Sequence, residues 1–149
     1  MKISEIMTEE VMSVNEDMPI YEVARIISKN KIHAVPVVDK NSKVLGIITE
    51  TDFFTKDSSG MLYMPSLIDF VRSGKLDYKK DEERETVKEV LNAKAKDIMS
   101  LKCEVVSPDM KLEDFIQLIK EKTFNSYPVA DASGYLVGII TVADAIKLF

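Results

Sequence analysis

Laid on itself with a shift of 92 positions, the chain repeats: residues 3–55 align with 95–147 without a gap, and 14 of the 53 pairs are identical. A chain of 149 residues that writes one pattern twice must fold as two similar units, so this duplication outranks every local reading. Its clearest copy is Val44-Leu45-Gly46-Ile47-Ile48-Thr49-Glu50-Thr51-Asp52, which returns as Leu136-Val137-Gly138-Ile139-Ile140-Thr141-Val142-Ala143-Asp144. Ile6-Met7 returns as Ile98-Met99, Asp17-Met18 as Asp109-Met110, Pro36-Val37 as Pro128-Val129, and Asp39 as Asp131.

Each unit reads β-α-β-β-α, an α/β pattern. A short strand around Ser13-Val14, echoed at Val105-Val106, precedes a helix opened by Asp17 or Met18. Ile20, Val23, Ala24 and Ile27 keep the i, i+3, i+4, i+7 spacing of one buried stripe, and Leu112, Phe115, Ile116 and Ile119 repeat it. Val35-Pro36-Val37-Val38 and Tyr127-Pro128-Val129-Ala130 are apolar strands whose proline places them at a strand start or sheet edge. Asp39-Lys40-Asn41-Ser42 and Asp131-Ala132-Ser133-Gly134 carry turn residues that join each of these to the Gly-Ile-Ile strand as a hairpin. Units of some 50 residues bury little core alone, so the copies should pack on each other, with Ile47, Ile48, Ile139 and Ile140 buried.

The chain thus divides into repeat one (1–56), a helical insertion (57–94) and repeat two (95–149). In the insertion, Met64, Leu67, Ile68 and Val71 space as one helix face, and a second helix is expected from Asp81, with Val87, Val90 and Leu91 as its stripe. Its start, Asp81-Glu82-Glu83, reads as a solvated first turn rather than a metal site.

Several functions are disfavoured outright. A net charge of −5 argues against a nucleic-acid surface. No apolar run approaches the roughly 20 residues a membrane span needs, and Met1-Lys2-Ile3 opens no signal peptide, so a cytoplasmic location is expected. The single Cys103 excludes an internal disulfide and reads as a packing residue, and the eight methionines read as core filling. One histidine, one cysteine and no glycine-rich phosphate loop leave little for catalysis, so the chain is read as no enzyme and as holding no metal centre of its own.

The ordered set of Ile-Met, Pro-Val-Val-Asp and Gly-Ile-Ile-Thr-x-x-Asp, in duplicate over about 105 residues, resembles a pair of CBS (cystathionine β-synthase) domains. The resemblance implies two units packed about a pseudo-twofold axis around two clefts that hold AMP, ADP, ATP or S-adenosylmethionine, with or without Mg2+. It also implies association into a homodimer, for which Phe53, Phe54, Ala145 and Ile146 are the candidate surface. Carried over by position, one cleft combines Thr141 and Asp144 with Thr8, Ser13, Ile32, His33 and Ala34. The other combines Thr49 and Asp52 with Ser100, Val105, Phe124, Asn125 and Ser126. The function implied is a regulatory sensor of an adenosyl ligand; the alternative is a ligand-free dimerisation scaffold. With no effector domain before Phe149, regulation of a partner in trans is expected.

Elementary chemistry bears on the same residues. Thr-x-x-Asp at a helix start can be a capping box; its unpaired N–H groups can also meet a phosphate, and its carboxylate can accept from a ribose diol. Lys29, Lys31 and His33 beside the first cleft, against Glu121, Lys122, Phe124, Asn125 and Ser126 beside the second, predict that phosphates prefer the Thr141 cleft.

Overall fold

The computed structural model describes residues 1–54 and 92–149, so the insertion helices expected in 57–94 lie outside the described residues almost entirely. In the first repeat, β1 (Val14–Asn15) leads to helix α1 (Ile20–Asn30), then to the hairpin of β2 (Ala34–Val38) and β3 (Val44–Thr49), and a short 3-10 turn covers Glu50–Phe54. The second repeat has helix α2 (Ala95–Ile98), α3 (Leu112–Glu121), the hairpin of β4 (Ser126–Ala130) and β5 (Leu136–Thr141), and α4 (Val142–Ile146).

The hairpins match residue for residue. Ala34 pairs with Thr49 and Val37 with Gly46; Ser126 pairs with Thr141 and Val129 with Gly138 at the same offset, and each register shifts at the same place, Val37/Val38 and Val129/Ala130. Asp39 and Asp131 close their turns alike, each Oδ1 accepting two backbone N–H bonds, from Asn41 and Lys43 and from Ser133 and Tyr135. β1 adds in parallel to β2, and in the second repeat Val106 makes the equivalent bridge to Val129.

The helices start later than Asp17 or Met18 and without a side-chain cap. Asp17 is engaged otherwise: its N–H donates to Asn15, and its carboxylate pairs with Lys96 at 3.1 Å and Lys94 at 3.6 Å. The first N–H of α1 donates instead to the Ala93 carbonyl, and that of α3 to the Met1 carbonyl. Each long helix is therefore capped by backbone leading into the other repeat, which satisfies a donor that the helix cannot.

That cap belongs to a larger exchange. Ile3, with Ile6 and Met7 beside it, packs in a core with Phe115, Tyr127, Val129 and Ile140. Ala95, with Ile98 and Met99, packs in the core of Val14, Ile20, Val23, Val35 and Ile48. The Ile3 and Ser4 N–H groups donate to the Met110 and Pro108 carbonyls, and Ala95 and Lys96 repeat these bonds to Met18 and Glu16. Lys2–Asp109 at 2.7 Å mirrors Lys94–Asp17, but all four side chains are about half exposed or more, so the ion pairs orient the exchange rather than drive it. The sequence repeat is thus not the packing unit: each repeat lends its first turn to the other's core.

Ile48 and Ile140 point into these cores and are fully buried. Strand alternation turns Ile47 and Ile139 to the opposite face, toward the other repeat. There Ile47 exchanges two backbone hydrogen bonds with Ser100, and Ile139 does so with Thr8. Ile139 is consequently half-buried, not buried as expected. Of the expected dimer surface, Phe53 and Ala145 are buried within the chain's own cores, Ile146 is exposed, and the Phe54 side chain lies outside the described residues.

The crossings explain the glycines. A Cβ on Gly46 would lie 2.6 Å from the Ser100 carbonyl oxygen; on Gly138 it would lie 2.6 Å from the flexible Met7 sulfur and 3.0 Å from the Thr8 carbonyl. Gly46→Ala should destabilise at the upper end of the roughly 1–3 kcal/mol that overpacking costs, and Gly138→Ala nearer its lower end. Urea midpoints check this: a stabilised Gly46→Ala protein, the ordinary result for glycine in an unobstructed strand, would refute the crossing.

Candidate ligand-binding site

The two crossings deliver Thr8 and Ser100 to the ends of the Gly-Ile-Ile strands, where Thr49 and Thr141 begin the final turns. Around them opens one cavity of about 930 Å³, continuous across both repeats. Thr8, Ile32, His33, Ala34, Thr141 and Asp144 line it, as do Thr49, Asp52, Ser100, Phe124, Asn125 and Ser126. Ser13 and Val105, candidates in sequence, do not line it. They precede Val14 and Val106, whose side chains point inward, and along an extended chain the neighbours then turn out; Val105 is 44% exposed.

The strand pairing also regroups the candidates. β2 and β4 begin beside the ends of β3 and β5, so Ala34 faces Thr49 and Ser126 faces Thr141 within one repeat. The Glu50 N–H donates to the His33 carbonyl, and the Val142 N–H to the Asn125 carbonyl. Along the hairpins, Ile32-His33-Ala34 therefore adjoin the Thr49 turn, and Phe124-Asn125-Ser126 adjoin the Thr141 turn. All of these residues line the same cavity, so each segment before a proline strand adjoins the final turn of its own repeat and also shares a wall with that of the other. His33 in particular stands beside Glu50, next to the Thr49 turn.

Each carboxylate is bound to its own threonine. Asp52 Oδ2 accepts from the Thr49 N–H at 2.7 Å and from the Thr49 hydroxyl at 3.2 Å. Asp144 Oδ2 accepts from the Thr141 N–H at 2.9 Å and hydroxyl at 2.7 Å, while Oδ1 accepts from Lys147 Nζ at 3.0 Å. The Asp144 N–H returns a bond to the Thr141 hydroxyl, which completes a capping box. Both turns span only five residues, so no long helix dipole stands behind them. Burial raises the Asp144 carboxyl, but the Thr141 and Lys147 hydrogen bonds outweigh it and hold it below the ordinary carboxylate value.

Equivalent wall positions differ in chemistry. Lys31, His33, Glu50 and Thr51 at one end stand where Thr123, Asn125, Val142 and Ala143 stand at the other. His33 Nδ1 lies 3.2 Å from Glu50 Oε2. The sequence reading passed over Glu10, Val11, Met12 and Cys103, which line the cavity in the stretches between each crossing and the following strand. The only sequence signal for them is that such a bridging stretch must pass the cleft. Cys103 is therefore a wall residue, and burial pushes its thiol up. Among the described residues no three His, Cys, Asp or Glu side chains gather to hold a metal ion, and no helix is long and apolar enough to cross a membrane.

The family model described as CBS domain matches residues 3–58 and 95–149. An uncharacterised protein of Methanocaldococcus jannaschii is 35% identical over 99% of this chain and 90% of its own length. Among solved structures, CBSX2 of Arabidopsis thaliana, crystallised in complex with AMP, superposes with a TM-score of 0.72 at 21% identity, covering 99% of this chain and 94% of that one. The CBS domain pair of protein MJ0100, in complex with 5′-methylthioadenosine and S-adenosylmethionine, gives 0.69 at 19%, covering 100% and 95%.

The capping boxes make a pH prediction. Because the Asp144 carboxyl binds its proton less readily folded than unfolded, its stabilisation is complete above the unfolded value near ~3.9. It drains away as pH falls through the depressed folded value. Asp144→Asn should lower the urea midpoint at pH 7, by roughly 0.5–2 kcal/mol for a lost cap, and lose less between pH 5 and pH 2.5 than the parent. Equal acid losses in the two proteins would refute the assignment.

Proposed function

The chain belongs to the CBS-domain family, with one domain in each repeat, and on that premise we propose that it is a regulatory module, not an enzyme, that binds an adenosyl ligand. The observation that carries this reading is the single cavity walled by both Thr-x-x-Asp turns and by the threonine and serine that each repeat lends across the axis. Its volume of about 930 Å³ is at the upper end of what small-molecule sites use. Fold relatives with AMP, or with 5′-methylthioadenosine and S-adenosylmethionine, give the ligand class. Asp52 and Asp144 are the expected ribose partners, since an ionised carboxylate only accepts and a vicinal diol supplies two donors. Phe124 and Ile32, at equivalent positions, offer apolar faces for the base.

Occupancy has a direct route to a signal. Thr8 and Ser100 sit on the exchanged segments, so a ligand that touches them bears on the cores of both repeats. We infer that the module works as a homodimer and acts on a partner protein in the cytoplasm; Ile146, 63% exposed beside the cavity, is the apolar residue placed to link the two events.

A thermal-shift screen against AMP, ADP, ATP, 5′-methylthioadenosine and S-adenosylmethionine tests the reading. A ligand at 100 times its Kd stabilises by about 2.7 kcal/mol, roughly 5–10 °C for a chain of this size. The same ligand should slow labelling of Cys103 by a thiol reagent, and Asp52→Ala or Asp144→Ala should weaken it roughly tenfold or more. No shift with any of the five compounds refutes the function. Sedimentation of a monomer at micromolar concentration, with and without ligand, refutes the dimer.

A further inference from the structure

Resting on the adenosyl reading, we propose that the cavity selects a phosphate-free adenosyl compound, a nucleoside thioether or sulfonium, over nucleoside mono-, di- or triphosphates. The first argument is the fate of the backbone donors. A phosphate cradle needs N–H groups aimed at the ligand with nothing else to bind. Here the Thr49 and Thr141 N–H groups donate to Asp52 and Asp144, at 2.7 and 2.9 Å. The Glu50 and Val142 N–H groups donate to the His33 and Asn125 carbonyls, at 3.2 and 3.0 Å, and the Asp144 N–H donates to the Thr141 hydroxyl. A phosphate that takes any of these five N–H groups has to displace the carboxylate, carbonyl or hydroxyl oxygen it already meets.

The second argument is charge. Among the described residues that line the cavity, Lys31 and His33 face four carboxylates, Glu10, Glu50, Asp52 and Asp144. One lysine against four carboxylates leaves the described lining three charges negative with His33 neutral. Glu50 already sits 3.2 Å from His33, and Lys147 is spent on Asp144. A histidine and a lysine that each already face a carboxylate are poor recruits for a phosphate, and like charge in a partly enclosed site costs more than in open solvent.

What the walls do offer fits the other class. An ionised carboxylate has about four lone-pair sites, and Asp144 accepts three bonds, which leaves it able to take a ribose hydroxyl. Next to Thr141, Val142, Ala143, Phe124 and Ile146 make an apolar surface for a thioether or methyl group, and the Cys103 thiol, pushed up by burial, lines the same cavity. The acidic Thr49 end favours a sulfonium or an ammonium group. This reading runs against the expectation that Lys29, Lys31 and His33 draw phosphates, and it rests on the Glu50 carboxylate beside His33 and on the four carboxylates of the lining.

Calorimetric titration of the full chain with 5′-methylthioadenosine, S-adenosylmethionine, AMP and ATP decides it. The phosphate-free compounds should bind at least about tenfold tighter than AMP, and AMP tighter than ATP. The AMP deficit should shrink as salt is raised to about 0.5 M, because repulsion is screened. The exposed Glu10→Gln and Glu50→Gln substitutions should raise the affinity ratio of AMP to 5′-methylthioadenosine roughly three- to tenfold. A sulfonium source gives the tighter binding of the first two compounds if the Thr49 end dominates, a thioether source if the Thr141 end does; either supports the proposal. AMP or ATP binding tightest, or a ratio unmoved by both substitutions, overturns it and leaves the adenosyl function standing. Silence toward all four compounds overturns the function and the selectivity together.

Discussion

Everything else in this fold depends on the crossing of one repeat's lead segment over the glycine of the other. At Gly46 the Ser100 backbone passes where a Cβ would stand, and at Gly138 the Met7 side chain and Thr8 backbone do the same. The paired N–H and carbonyl groups of Ile47 with Ser100, and of Ile139 with Thr8, hold each crossing in register. Once the segments cross, Ile3 and Ala95 must enter the opposite cores, and the carbonyls of Met1 and Ala93 arrive where α3 and α1 need an acceptor. Neither half can keep its own lead segment and also cap its own helix. Each core is thereby built from residues of both repeats.

The cavity follows from the same geometry. Strand alternation sends Ile48 and Ile140 into the cores and leaves Ile47 and Ile139 on the face that the crossing segment covers. Beyond the crossing the strands end, the final turns begin, and the lead segments peel away toward Val14 and Val106, so a space opens between the elements. Its walls come from both repeats because the chain entering it has just left one repeat and is about to join the other. Among the described residues, the site is the gap that reciprocal exchange leaves.

Much of this was legible in sequence, for reasons that particular residues make clear. Continuous apolar runs bounded by turn residues placed the hairpins, and the period-3.6 pattern placed both long helices, since Ile20, Val23 and Ile27, or Phe115 and Ile119, have only one way to reach a core. Asp39 and Asp131 announced their turns through local bonds that need no tertiary context. Failures came where a partner distant in sequence decided the outcome. Asp17 looked like a helix cap, yet Lys94 and Lys96 hold it and a foreign carbonyl caps the helix. Phe53 and Ala145 looked like an outer face but are core. Nothing in the sequence signalled that His33 would stand beside Glu50 of its own repeat. Glu10, Met12 and Cys103 belong to no repeated signature, and only the path of the chain brings them to the cavity wall.

The duplication also shows how a symmetric backbone carries unequal chemistry. The 14 identities between the repeats include each residue that the architecture demands of both: the crossing glycine, the two isoleucines, and the threonine and aspartate of the final turn. Around that frame the wall diverges, with Lys31 against Thr123, His33 against Asn125, Glu50 against Val142, and Glu10 against Lys102. The backbone cannot drift at the frame positions without losing the crossing or the cap, whereas a wall side chain answers only to what enters the cavity. The result is a cavity whose two equivalent turns meet unequal walls. The two Thr-x-x-Asp turns share one bonding pattern, from threonine N–H and hydroxyl to the aspartate Oδ2, so their difference as binding surfaces lies in the unequal side chains around them.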